Sequence, residues 1–428
     1  MKKSICIVGS GFSSLCAGII LVNNKYKPTI IDIGGRIKKE KYPSILKPFF
    51  YKKKDNQIYL FGGLSNVWKG VISQYFSGDF RKWNKSYDIE HLFPKLQRIY
   101  KFQLAEQEVS SVDNKIYYKL KKISKFCKRK EIPSKLFFYP SRILINSNKS
   151  FQTFNIESIL KKLIKDKKII YIKGKIIKFF KAKNKIKIAY IFKKKLVNMY
   201  VDRIFLGAGA ISTNTIVNNS THAYTKITAN KKFISFGFFK KQLIPLGAIN
   251  TFPVFQGFFL NKRKECIIYL QIYSLSQIIC QLLGSFFYRF VPFKFILNKI
   301  TVVYGSFNYK NSPIFSLDKF NKIQSLKENN SKSKLRNLVS KALRKNYLFN
   351  LLPSIFFLPN LAGNHFGSSF PMSRYKKNHT TQFGELKNLP GVSIIDTSSF
   401  SDMSAVPPTL NLMCHSYSIV NNVLRHKI

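Results

Sequence analysis

A chain of 428 residues is long enough to enclose a large core, and its 45% hydrophobic content, with 40 Phe and 22 Tyr, excludes a disordered polymer. Six scattered cysteines (Cys6, Cys16, Cys127, Cys266, Cys280, Cys414), with no C-x-x-C pair, argue against a disulfide framework or a structural zinc site. The 73 Lys and Arg against 19 Asp and Glu give a net charge of +54, which attracts polyanions and anionic membrane surfaces. Those lysines run through the whole chain, the aromatics sit in apolar runs, and no nucleic-acid motif appears, so specific nucleic-acid binding is not assigned.

The first element is a short apolar strand, Ser4-Ile5-Cys6-Ile7-Val8, followed by Gly9-Ser10-Gly11-Phe12-Ser13-Ser14 and a helix. Gly9 permits the sharp turn, and Gly11 lets the backbone approach a pyrophosphate at the positive end of that helix. Ser14 occupies the third glycine position. A second strand, Thr29-Ile30-Ile31-Asp32, ends in the acid expected to accept a hydrogen bond from a ribose hydroxyl. The unit therefore predicts a dinucleotide site at Gly9, Gly11, Ser14 and Asp32. Met1-Lys2-Lys3 before an apolar run also resembles a secretory signal. The glycines break that run and Leu15 precedes Cys16, so the expectation is a cytoplasmic protein, with peripheral contact on the inner face of the membrane allowed by the charge.

Gly34-Gly35-Arg36 leads into a basic linker to about Lys54, then Gly62-Gly63-Leu64-Ser65-Asn66-Val67-Trp68-Lys69-Gly70. That glycine-dense loop suggests backbone lying against something flat or anionic, such as a flavin. Helical periodicity predicts helices over Ile89 to Ala105 and Ser158 to Lys165, and a basic amphipathic helix over Ile116 to Lys130. Strands are predicted at Lys168 to Ile172, Lys175 to Phe180, Ile186 to Ile191 and Leu196 to Val201, as a meander. Arg203-Ile204-Phe205-Leu206-Gly207-Ala208-Gly209-Ala210 then repeats the strand-into-small-residues logic, placing Ala208 and Gly209 at a second phosphate-facing helix start. Two such turns favour FAD over a nicotinamide cofactor alone. From Thr215 to Leu358 the composition shifts to Phe, Tyr and Ile. Within Cys266 to Tyr288, glutamines and serines argue against a membrane span and for a strand, Ile267 to Tyr273, then a helix, Leu275 to Tyr288, that either packs against the sheet or rests on a membrane surface. Lys319 to Lys345 reads as loop then helix.

The closing segment places His365 in a glycine-rich loop after Asn364, and Asp396-Thr397 at the end of a strand. A final helix opens at Pro407-Pro408-Thr409 and runs through His415, which reads as packing. Four motifs now stand in order: Ile5 to Asp32, Gly62 to Gly70, Phe205 to Thr213 and His365 to Thr409. In this order they resemble the glucose-methanol-choline (GMC) flavin oxidoreductases, in particular the branch found among polysaccharide-biosynthesis proteins. The resemblance implies an α/β fold with a discontinuous Rossmann-type FAD-binding domain (1–45, 155–214 and 360–428) and an FAD-contacting loop and helical region (46–154). It also implies an inserted α+β substrate domain (215–359) with a mainly antiparallel sheet. It implies FAD as cofactor, no metal, and oxidation of a CH-OH group by hydride transfer to flavin N5, on a sugar of a glycan or lipid-linked precursor. The electron acceptor stays open. His365 would be the base, assisted by Asn364. The flavin half would lie near Gly62, Gly63, Asn66, Asp396, Thr397, Pro408 and Thr409. One departure is Pro407, where the family normally offers a second His or Asn; proline has no side-chain donor, so either Asn364, Asn411 or a substrate-domain side chain takes that part, or the reaction differs from simple alcohol oxidation. A redox-neutral flavoenzyme on a nucleotide sugar and a catalytically degenerate scaffold in glycan assembly are the alternative readings.

Overall fold

The computed structural model describes residues 3–35, 60–66, 70–81, 83, 88–106, 134, 136–146, 154–222, 225–238, 253–276, 278–279, 294–297, 299–318, 323–328, 330–344, 355–360, 365–372 and 380–427. All four residues of the strand Ile5–Val8 are buried, because both of its faces are covered. Alternation along a strand sends Ile5 and Ile7 to one core, with the helices Phe12–Asn23 and Thr409–Lys427, and Cys6 and Val8 to another. This strand is central in a five-stranded parallel sheet ordered Val392–Ile394, Arg203–Leu206, Ile5–Val8, Thr29–Asp32, Ile170–Lys173. Strands adjacent in space thus come from three distant parts of the chain, as the discontinuous domain requires.

The second core lies under a meander of Lys175–Ala182, Lys185–Phe192 and Lys195–Val201. The expected strand at 168–172 does not join that meander. Ile170–Lys173 instead pairs in parallel with Thr29–Asp32 as the sheet edge.

The substrate domain carries a six-stranded antiparallel sheet: Ile355–Phe357, Lys232–Phe238, Ile300–Phe307, Cys266–Ser274, Phe255–Leu260 and Leu136–Pro140. One face is apolar, with Phe233, Val303, Leu270 and Phe255 against Leu335, Val339 and Ala342 of the helix Lys332–Arg344. The last strand of this sheet comes from the 46–154 stretch and pairs with Phe255–Leu260. A four-stranded sheet, Ile323–Lys327, Ile314–Leu317, Ile227–Ala229 and Phe366–Gly367, links the substrate domain to the segment after His365.

Two boundaries depart from the sequence reading. The helix expected to Ala105 stops at Tyr100, where Lys101 turns left-handed at φ 53°, and Phe102–Glu106 pairs with Arg142–Asn146. Cross-strand pairing overrides the helical period there. Within the basic stretch 319–345, Ile323–Lys327 is a strand paired with Ile314–Leu317. The helix expected over Ser158 to Lys165 forms as Glu157–Lys165. The expected strand Ile267 to Tyr273 is present as Cys266–Ser274. The helix expected over Ile116 to Lys130 lies outside the described residues, as do the basic linker and most of Leu275 to Tyr288. Among the described residues no helix is long and apolar enough to cross a membrane.

Candidate active site

Two helix starts and one loop converge beyond the carboxyl ends of the parallel strands, where ligands of open α/β sheets bind. At the first, Gly9 holds φ +91°, and a Cβ there would stand 2.5 Å from the Gly207 carbonyl oxygen, so the fold itself demands glycine. Gly11 differs. Its backbone is extended at φ −75° and a Cβ would meet nothing within 4 Å, so no internal contact explains its glycine. Open space at an uncapped helix start is what a closely approaching phosphate needs. Gly209 opens the helix Ala210–Thr221: it is exposed at φ +83°, and among the described residues a Cβ there would again meet nothing within 4 Å. Ala208 beside it is half-buried.

Gly62 and Gly63 dock onto the first turn. The Gly62 N–H donates to Ser10 Oγ at 2.9 Å, and a Cβ on Gly63 would come within 3.1 Å of the Gly11 Cα. Ser10 in turn hydrogen-bonds Asp32, which also accepts from the Gly34 N–H at 2.7 Å and from Tyr171. Burial pushes the Asp32 carboxyl up to about 6 against the pull of these donors. Asp32 thus sits half-buried at the end of Thr29–Asp32.

Other predicted residues hold the frame. Ser14 is fully buried with its hydroxyl directed at the Val8 and Gly207 carbonyls, 3.3 and 3.4 Å away, so it packs helix onto strands as the third glycine would. Asp396 accepts from the Gly209 N–H at 2.9 Å, from Thr213 Oγ1 at 2.6 Å and from the Ser398 N–H at 2.9 Å. Its carboxylate is spent on the turn at Gly209. Thr397 Oγ1 donates to the Phe366 carbonyl at 2.6 Å. Pro408 is buried, and its carbonyl accepts from the Leu412 N–H at 2.7 Å, opening the helix that begins at Thr409. Asn364, the Asn66 side chain and Trp68 lie outside the described residues.

His365 precedes the strand Phe366–Gly367, and its carbonyl accepts from the Asn230 N–H at 3.2 Å. Its Nδ1 is buried and, among the described residues, has no hydrogen-bond partner. Burial holds the imidazole well below the usual histidine range, and the charge of Lys232 adds to the effect. The ring is therefore neutral at physiological pH and can accept a proton. His415, by contrast, is fully buried with Nε2 2.6 Å from Ser399 Oγ, edge-on to Trp83 and Phe400. It packs, as expected. Asn411, one candidate for the role vacated at Pro407, is committed to the backbone at Ser73 and Tyr75. Lys232 and Tyr304 were not singled out from the sequence. Nothing distinguishes one lysine among 73 basic residues until the sheet places it.

The parallel sheet with paired glycine turns and an appended antiparallel sheet define a Rossmann-type α/β fold. A solved structure of pyridoxine 4-oxidase from Mesorbium loti is similar, with a TM-score of 0.66 over 100% of both chains at 11% identity. At that identity the likeness shows the fold. No family model and no curated protein sequence matches the chain.

Proposed function

We propose that the protein is an FAD-dependent oxidoreductase that oxidises a CH-OH group, with His365 as the general base. The observation that carries this reading is the unpartnered, buried Nδ1 of His365, on a segment tied through Thr397 and Asp396 to the turn at Gly209. The residues fit the cofactor: Gly11 and Gly209 leave room that their own fold does not use, Asp32 is placed for a ribose, and Gly62-Gly63 closes over the first turn. When bound, FAD supplies a hydride acceptor. The protein's share is to hold the alcohol, exclude water and take the hydroxyl proton on the neutral His365 ring. The similar structure is by name an oxidase of pyridoxine, which supports oxidation as the reaction class.

A sugar of a glycan or lipid-linked precursor is the substrate class suggested by the sequence motifs and the basic charge. For location, the meander supports peripheral contact with an anionic membrane. Its outer face sets Ile191 opposite Leu196 and Lys187 opposite Tyr200, with Phe180 beside Lys187. Leu196 is 66% and Tyr200 53% exposed among lysines. Apolar tips among cations suit a headgroup layer.

The test is the absorbance spectrum of the purified, FAD-loaded protein under anaerobic mixing with a panel of alcohols, sugars and glycan precursors. Bleaching by one of them supports the reading. A protein that never takes up FAD overturns it.

A further inference from the structure

The antiparallel sheet has two unlike faces. Opposite its apolar face, Lys232, Tyr304, Ser306, Gln271, Tyr269 and Gln256 fall on one side by register. Tyr273 Oη donates to Gln271 Oε1 at 2.9 Å, and Tyr269 Oη donates to Gln256 Oε1 at 3.1 Å, which fixes a polar wall. Ser306 Oγ donates to the Ala405 carbonyl at 2.7 Å, so this wall faces the Asp396 to Thr409 segment of the nucleotide domain.

Lys232 stands at the His365 end of that wall, two residues beyond Asn230, whose N–H holds the His365 carbonyl. It is 7% exposed. Among the described residues no carboxylate pairs with it, and its ammonium lies over the Tyr304 ring, 5.0 Å from the centroid. Its neighbour Lys231 shows the ordinary alternative: on the other face, its ammonium meets Glu328 at 3.5 Å and also bonds Asn360. A buried ammonium without a counter-ion is costly unless an anion arrives from outside.

We propose that Lys232 is the receptor for an anionic group of the substrate, a carboxylate or a phosphate, so that the alcohol presented to His365 carries an oxyanion. This rests on the proposed oxidoreductase reading for the identity of the bound molecule. The anion site itself does not depend on turnover. Burial lowers the Lys232 ammonium to about 8, so it is largely charged at pH 7. That charge depresses the basicity of His365. An arriving oxyanion offsets it, and the base strengthens as substrate binds.

The experiment is calorimetric titration of the FAD-loaded protein with acetate and, separately, inorganic phosphate, in about 0.3 M salt to screen the surface lysines. One-to-one binding is expected, weakened at least thirtyfold in Lys232→Met, retained within threefold in Lys232→Arg, and unchanged in Lys193→Met on the exposed meander. Which probe binds separates a carboxylate site from a phosphate site. Acetate affinity of the wild type should fall about tenfold per pH unit above pH 8, a readout that needs no variant to fold. Equal affinity in Lys232→Met, or a flat profile to pH 9.5, overturns the proposal. Anion binding without oxidation of any alcohol would leave the site standing and remove the oxidoreductase reading instead.

Discussion

Thr397 Oγ1 donates to the carbonyl of Phe366 at 2.6 Å, joining the residue after Asp396 to the residue after His365. Since Asp396 holds Gly209 and Thr213, the His365 segment and the turn at Gly209 share one hydrogen-bonded frame. Removing the Thr397 hydroxyl leaves a buried carbonyl unsatisfied, a cost of about 1–3 kcal/mol. Thr397→Val is therefore expected to lower kcat about tenfold while FAD affinity stays within about threefold. Steady-state kinetics beside an FAD titration checks the split, and an unchanged kcat would dissolve the link.

Gly9 and Gly11 make opposite demands. Alanine at Gly9 meets the Gly207 carbonyl at 2.5 Å and requires positive φ, so Gly9→Ala should fold poorly. Alanine at Gly11 meets nothing within 4 Å. Gly11→Ala should keep the wild-type melting temperature within about 2 °C and lose FAD affinity tenfold or more, about 1.4 kcal/mol. Thermal melts and flavin titration read the two separately. Undiminished FAD binding in Gly11→Ala would mean the open space serves something else.

His415 makes the fold sensitive to acid. Burial lowers its imidazole from 6.5 to about 3, so between those values the folded chain binds fewer protons than the unfolded one. Stability from this group is complete above about pH 6.5 and drains away as pH falls, by about 2 kcal/mol between pH 7 and pH 5. Urea unfolding of wild type and His415→Gln over that range should show a shallower acid loss in the variant. Parallel pH profiles would place the acid sensitivity elsewhere.

The meander's outer face gives a third kind of outcome. Leu196→Glu with Tyr200→Glu sets charge on two exposed apolar positions without touching the core. Binding to vesicles with about one-third anionic lipid should weaken tenfold or more, and wild-type binding should fall with salt. Equal binding of both proteins would leave only diffuse attraction by the net charge.

The sequence made the nucleotide half legible because its signals are local. Gly9, Gly62, Gly63 and Gly209 each hold a positive φ that glycine adopts without strain, Gly11 marks open space at a helix start, and Asp32 ends a strand whose length and burial are written in Thr29 to Ile31. The strands of the meander alternate so regularly that Ile186 and Ile188 could only face inward. What stayed hidden is long-range. Phe102–Glu106 looks helical until Arg142–Asn146 lies beside it, and Leu136–Pro140 gives no sign of pairing with Phe255–Leu260, more than a hundred residues later. Ser14 and Asp396 kept their predicted places, but their side chains hold backbone. Lys232 is one basic residue among many until the register of the sheet brings it to His365.

The central claim is that His365 takes the substrate proton. The most direct measurement is the anaerobic rate at which the oxidisable alcohol bleaches the bound flavin, in wild type and in His365→Asn, with the FAD content of both confirmed by absorbance. A fall of about 10²–10⁴-fold in a fully FAD-loaded variant is the expected result. An equal bleaching rate in the two proteins would contradict the assignment of His365 as the base.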